Sequence, residues 1–157
     1  MASRLVVMPV EDLQDALCKR MNLLSGTIVF VSLNKRQEST ERMLRDHNVP
    51  IDTLFFIDCV AADNRKETIH VPPERLDLLE VAIREFLQLL PGERTLVIDS
   101  LATLLIYNPE NAVASFVQHL AEQASSQEIS ILALSPKTEG EELLTKVFNF
   151  FDTVERT

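Results

Sequence analysis

Glycine is almost missing from this 157-residue chain, which holds only Gly26, Gly92 and Gly140. A loop that wraps phosphate with its own N–H groups needs closely spaced glycines, because other residues enter left-handed turns only at a cost. No G-x-x-x-x-G-K-[ST] motif can be written anywhere along the sequence. Cysteine is as scarce, with Cys18 in a helical pattern and Cys59 at a strand end. That usage suits a reducing compartment and two buried thiols, with a structural disulfide as the lesser alternative. No run of about 18 apolar residues occurs, so no membrane span is read. Glu11 and Asp12 interrupt the N-terminal segment and argue against a signal peptide. Basic residues are outnumbered, 15 Lys and Arg against 24 Asp and Glu, for a formal net charge of −9. Nucleic acid and anionic lipid are therefore disfavoured as partners, and a cytoplasmic location is expected. The one basic cluster, Lys35, Arg36, Arg42 and Arg45, interleaves with Glu38, Glu41 and Asp46 and reads as a solvated helix face.

What is present alternates between apolar runs of strand length and segments of helical period. Strands are expected at residues 5–10, 28–33, 54–57, 95–100 and 129–134. Helices are expected at 11–24, 35–48, 72–90, from Asn108-Pro109-Glu110 onward, and at 141–151. Gly26 stands where a cap for the first helix belongs, Pro50 ends the second, and Pro91-Gly92 closes the third. Residues 61–71 read as a polar loop with local order around Ile69 and Val71, and a short last strand over 152–155 is left open. This rhythm predicts one α/β domain spanning 1–157, a three-layer structure with a parallel sheet and helices on both faces.

The most informative stretch is Thr95-Leu96-Val97-Ile98-Asp99-Ser100, followed by Leu101-Ala102-Thr103-Leu104-Leu105. A β-branched run ending in Asp-Ser delivers a carboxylate to the C-terminal edge of a buried strand, the edge where open α/β sheets bind ligands. Nucleotide hydrolases keep there the acid that positions magnesium. Together with Ile28-Val29-Phe30-Val31-Ser32-Leu33-Asn34-Lys35 and Leu54-Phe55-Phe56-Ile57-Asp58-Cys59-Val60, this stretch resembles the RecA/KaiC-like ATPase superfamily, and most closely its degenerate KaiC-like branch. The resemblance covers nearly the whole chain and implies a sheet order, in strand number, of 3-2-4-5-1.

The resemblance also implies what has changed. The family's phosphate loop corresponds to Pro9-Val10-Glu11-Asp12-Leu13-Gln14-Asp15, which has no glycine or lysine and places Glu11, Asp12 and Asp15 at a helix start. The acids that activate water in the family correspond to Asn34 and Lys35. Asp99 and Ser100 are what survives of the nucleotide and magnesium position, and an isolated strand-end Asp also reads as a residue that holds a turn. The implied function is that of a pseudo-ATPase acting through protein contacts in a regulatory or signalling role, with no catalytic residues, metal or cofactor and with a protein partner or self-association. Residual nucleotide binding at Asp99 is one alternative.

A second alternative is a response-regulator-like receiver, for which Glu11 and Asp12, Asp58, Ser100 and Lys137 occur in a suitable order. There Asp58 would accept the phosphoryl group, and the sheet order would be 2-1-3-4-5. Other chemistries have less to stand on. His47, His70 and His119 lack ligand spacing to either cysteine, no G-x-S-x-G is present, and Ser135 reads as a turn residue. Asp58 beside Cys59 would raise the thiol pKa, which is the opposite of activation. Two apolar groups could be either core or interface: residues 101–107, and the trio Phe148, Phe150 and Phe151.

Overall fold

The computed structural model describes residues 2–60, 69–137 and 141–157, with 141–143 described by backbone alone. Seven parallel strands form one sheet: β1 (Ser3–Met8), β2 (Thr27–Ser32), β3 (Leu54–Asp58), β4 (Ile69–His70), β5 (Arg94–Ile98), β6 (Ser130–Pro136) and β7 (Thr153–Arg156). Their order is β4-β3-β2-β5-β6-β1-β7. The five strands read from sequence therefore stand as 3-2-4-5-1, with β4 and β7 added at the two edges. A receiver order, with the first and third strands adjacent, does not occur: β2, β5 and β6 lie between β1 and β3.

Alternation along the strands divides the core into two layers. Ile28, Phe30, Val97, Leu132, Leu134, Val6 and Met8 face α1 (Leu13–Met21) and α2 (Gln37–Asp46). Val29, Val31, Leu96, Ile98, Ile131, Leu5 and Val7 face the other side. There they meet α3 (Leu76–Leu89), α5 (Glu110–Gln127) and α6 (Glu141–Phe148). Helix α3 buries Leu79, Ile83 and Leu87, and α5 buries Val113, Phe116, Val117, Leu120 and Ala124. Both stripes follow the helical period.

Helix boundaries depart from the sequence reading at several points, each for a local reason. Helix α1 stops at Met21, so Gly26 is not its cap; Gly26 instead has φ +79° and leads into β2 with its Cα against the Glu93 carbonyl. Helix α3 starts at Leu76, because Arg75 donates its N–H to the Pro72 carbonyl in a turn after the prolines. Helix α2 ends through Asn48 at φ 61°, while Val49 N–H reaches the Leu44 carbonyl. Helix α6 ends at Phe148, which leaves Phe150 and Phe151 in the turn before β7, and all three rings pack partly buried on the core. Phe148 also carries the Arg156 guanidinium over its face.

After β5 the chain makes a 3-10 turn (Leu101–Thr103) and the single-turn α4 (Leu104–Tyr107). Leu101 and Leu104 are fully buried, whereas Ile106 is 76% and Tyr107 52% exposed. Both cysteines are buried and free, so the disulfide alternative does not occur. Of the polar loop, 61–68 lies outside the described residues, while Ile69 joins β4 and Val71 is buried. Among the described residues, no helix is long and apolar enough to cross a membrane.

Candidate functional site

Parallel strands bring all their C-terminal ends to one edge, and the polar residues singled out from sequence gather there. Asp99 follows β5 and is only 5% exposed. Its Oδ1 accepts the Leu33 N–H at 2.8 Å and its Oδ2 the Asn34 N–H at 3.3 Å, both from the turn after neighbouring β2. Burial pushes this carboxyl up to about 7; the N–H groups of Leu33, Asn34 and Asp99 itself oppose that, and the Asp58 charge adds to it. The residue does hold a turn, as one sequence reading had it, but the turn belongs to the adjacent strand and not to its own.

Asp58, at the end of β3 and 2% exposed, works in a similar way. Its Oδ2 accepts the N–H of Gln37, the first residue of α2, at 3.0 Å, and its Oδ1 accepts the Val60 N–H at 2.8 Å. Helix α2 has no capping bond from its own Arg36 side chain, so the cap comes from another strand. The Cys59 thiol is driven to about 12 by burial first and by the Asp99 and Asp58 carboxylates next, which removes it as a nucleophile at neutral pH.

Hydroxyls complete the pattern. Ser135, the penultimate residue of β6, accepts the Ala102 N–H at 3.0 Å and caps the 3-10 turn after β5. The Ser100 and Thr103 hydroxyls are hydrogen-bonded at 2.8 Å. Ser32, ending β2, donates to the Lys35 carbonyl at 2.6 Å and lies 3.3 Å from the Thr40 hydroxyl. Ser32 and Thr40 escaped the sequence reading. Their only signal is a hydroxyl at the end of a buried strand facing another on the next helix.

The segment after β1 decides what this edge can hold. Pro9 leads into a 3-10 turn (Val10–Asp12), closed by Asp12 N–H to the Pro9 carbonyl at 3.0 Å, and α1 follows without a break. An anion nest needs left-handed backbone. Among the described residues only Gly26, Asn48, Gly92 and Glu128 have positive φ, so residues 9–15 contain none. Glu11, Asp12 and Asp15 are exposed at this helix start. Asp12 makes no side-chain capping bond, so the expected acid cap acts only through charge on the helix dipole.

Three of the sequence-flagged positions nevertheless meet. Val10, Leu13, Gln14, Asn34, Lys35 and Asp99 line one cleft of about 100 Å³. Small-molecule sites usually span roughly 300–1,000 Å³. Lys35 Nζ donates to Gln14 Oε1 at 3.3 Å, which ties the turn after β2 to α1 across this cleft. Among the described residues, those that would hold a magnesium nucleotide do not fit here: the Asp99 carboxylate is engaged by two backbone donors, and no described backbone nest faces it. Among the described residues, no group of three or more His, Cys, Asp or Glu is arranged for a metal ion.

The receiver constellation is not assembled. Glu11 and Asp12 follow β1, separated from Asp58 on β3 by three intervening strands, and Lys137 is exposed with its N–H on the Met8 carbonyl.

Comparison with solved structures places this architecture. The chain superposes on the KaiC-like protein PH0186 from the hyperthermophilic archaeon Pyrococcus horikoshii OT3 with a TM-score of 0.65 and 11% identity, over 87% of this chain and 61% of that one. The fold is RecA-like. A second solved ATPase domain matches with a TM-score of 0.61 and 11% identity, over 99% of this chain and 68% of the other. The cytoplasmic domain of the type VII secretion ATPase EccC of Thermomonospora curvata gives 0.50 and 14%, over 94% and 18%. The chain thus spans about three fifths of the KaiC-like protein's length. No protein-family model matches the sequence, and a search of curated proteins finds no relative.

Proposed function

We propose that this chain is a RecA/KaiC-like pseudo-ATPase, a domain that does not hydrolyse nucleotide and acts through protein contacts in a regulatory or signalling role. The observation that supports this most is the 3-10 turn at Val10–Asp12, where the related ATPase fold would need a phosphate cradle. A triphosphate would meet helical backbone and the Glu11, Asp12 and Asp15 carboxylates, and it would be repelled. Asn34 and Lys35, at the lost-base position, offer no carboxylate to activate water. Ile106 and Tyr107, exposed beside the buried Leu101 and Leu104, are the contact surface on this reading, with a protein partner or a second copy as occupant. The net charge of −9 argues against nucleic acid or anionic lipid in that place and suits a cytoplasmic protein.

The test is calorimetric titration with ATP and GTP in the presence of magnesium, paired with a phosphate-release assay. No heat of binding and no release are expected. Micromolar binding, or turnover that disappears in Asp99→Ala, overturns the reading in favour of a working nucleotide site. Sedimentation across a range of concentrations tests self-association, which Tyr107→Asp should weaken if α4 is the contact.

A further inference from the structure

At the opposite, N-terminal edge of the sheet lies a cavity of about 300 Å³, remote from both the Asp99 cleft and α4. Its floor is made by residues near the starts of three adjacent strands, Arg4 of β1, Ser130 of β6 and Thr95 of β5, and its roof by Arg20, Leu23 and Leu24 at and after the end of α1. Arg4 and Arg20 are the only charged groups among the described residues lining it, in a chain whose net charge is −9. Both guanidinium groups already engage a carboxylate, that of Glu155 on β7, with Arg4 Nε 3.6 Å from Glu155 Oε1 and Arg20 bonded to Oε2. In these ion pairs two positive charges share one negative charge, and Arg4 and Arg20 line the cavity while Glu155 does not. Thr95 is 4% exposed and is one of the residues that line the cavity. Leu23 is 85% exposed at the rim, where it contributes nothing to the core.

We propose that this cavity binds a compact amphipathic monocarboxylate, with the headgroup on Arg4 and Arg20 beside the Thr95 and Ser130 hydroxyls and the apolar chain under Leu23 and Leu24. Guanidinium pairs favour carboxylates through charge-assisted hydrogen bonds, and the adjacent leucines give a short alkyl chain an apolar wall. The Glu155 carboxylate is the internal competitor for the same donors.

Octanoate titrated into the isotope-labelled 157-residue chain and followed by amide chemical shifts is the probe. Saturable shifts centred on Thr95, Ser130 and Leu24 are expected, with the neutral isostere octanamide about tenfold weaker. Leu23→Ser and Thr95→Val should each weaken binding about threefold or more with the circular dichroism spectrum unchanged. Glu155→Gln should strengthen it, because the competing carboxylate is gone. The proposal is overturned by an absence of saturable shifts at millimolar octanoate, by octanamide binding equally well, or by Glu155→Gln leaving the affinity unchanged or lower. Neither ATP binding nor its absence at the other edge bears on these outcomes.

Discussion

Asp99 and Leu33 are 66 positions apart in sequence, yet the carboxylate of one accepts the backbone N–H of the other at 2.8 Å. The bond runs from the end of β5 to the turn after β2 and is buried. A strand-end acid that could have faced a metal instead holds a neighbouring turn in place.

That arrangement sets a pH dependence. The folded-state pKa of about 7 lies above the ordinary carboxyl value of 3.8, so the native chain binds more protons than the unfolded one between those values. Stability from this group is fully present below about pH 4 and is lost as pH rises through 7, where a buried carboxyl must ionise. Urea denaturation across pH 4–8 should show this slope in the wild type and lose it in Asp99→Asn. Asp99→Ala should cost about 1–3 kcal/mol at pH 5, because Leu33 and Asn34 N–H groups lose their acceptor. The cost should shrink at pH 8, where the wild type carries the charge. Equal slopes in wild type and Asp99→Asn would remove this account.

Asp58 is open to a separate test. Asp58→Ala strips the acceptor from Gln37 N–H at the start of α2 and from Val60 N–H. A loss of roughly 1–3 kcal/mol is expected, together with faster amide exchange at those two sites. Acetyl phosphate with magnesium should leave the intact mass unchanged, since the carboxylate oxygens are buried and engaged. A mass gain of one phosphoryl group that Asp58→Ala abolishes would restore a phospho-acceptor role.

The layers and the parallel sheet were legible because they rest on local signals: apolar β-branched runs, helical stripes such as Leu79, Ile83 and Leu87, and proline or glycine punctuation. The strand order came instead from the resemblance to RecA/KaiC-like proteins, since no local signal states which strands are neighbours. The use of the C-terminal edge was not legible. Asp99, Asp58 and Ser135 all bind backbone N–H groups, and a backbone donor has no residue signature. Nothing at Leu33, Gln37 or Ala102 marks it as a partner. Strand β4 is two residues long and leaves no period to read, and β7 joins the sheet through pairing with β1 more than through its own pattern of Thr153, Val154, Glu155 and Arg156. Gly26 was read as a helix cap because cap glycines and tight-approach glycines look alike in sequence.

At Gly26 the φ of +79° is left-handed, and a Cβ built there would sit 2.3 Å from the Glu93 carbonyl oxygen. That carbonyl accepts the Thr27 N–H at 2.9 Å as β2 begins beside β5, so it cannot retreat without breaking the register of the two strands. Gly26→Ala should therefore lose more than the roughly 1–2 kcal/mol of left-handed strain alone. Gly92→Ala offers the control, with a φ of +80° and nothing within 4 Å of the added carbon. A thermal melt in which the two variants fall equally would show that close packing at Glu93 contributes nothing.

Arg94, the first residue of β5, serves two helices at once through its guanidinium. It donates to the Leu87 carbonyl in the final turn of α3, and Nη2 donates to the Gln127 carbonyl, the last of α5, at 3.0 Å. Helix C-termini expose unpaired carbonyls and a partial negative charge, so one cation between two of them stabilises both. Arg94→Met keeps the aliphatic stem and removes the donors, and should cost about 1.5–3 kcal/mol for each charged hydrogen bond that water does not replace. Arg94→Lys restores the charge but not the fork that spans two acceptors, so it should recover only part of that loss. Hydrogen exchange separates the contributions: Arg94→Met should loosen the last turns of α3 and α5 together, whereas a residue acting through bulk charge would leave Arg94→Lys indistinguishable from the wild type.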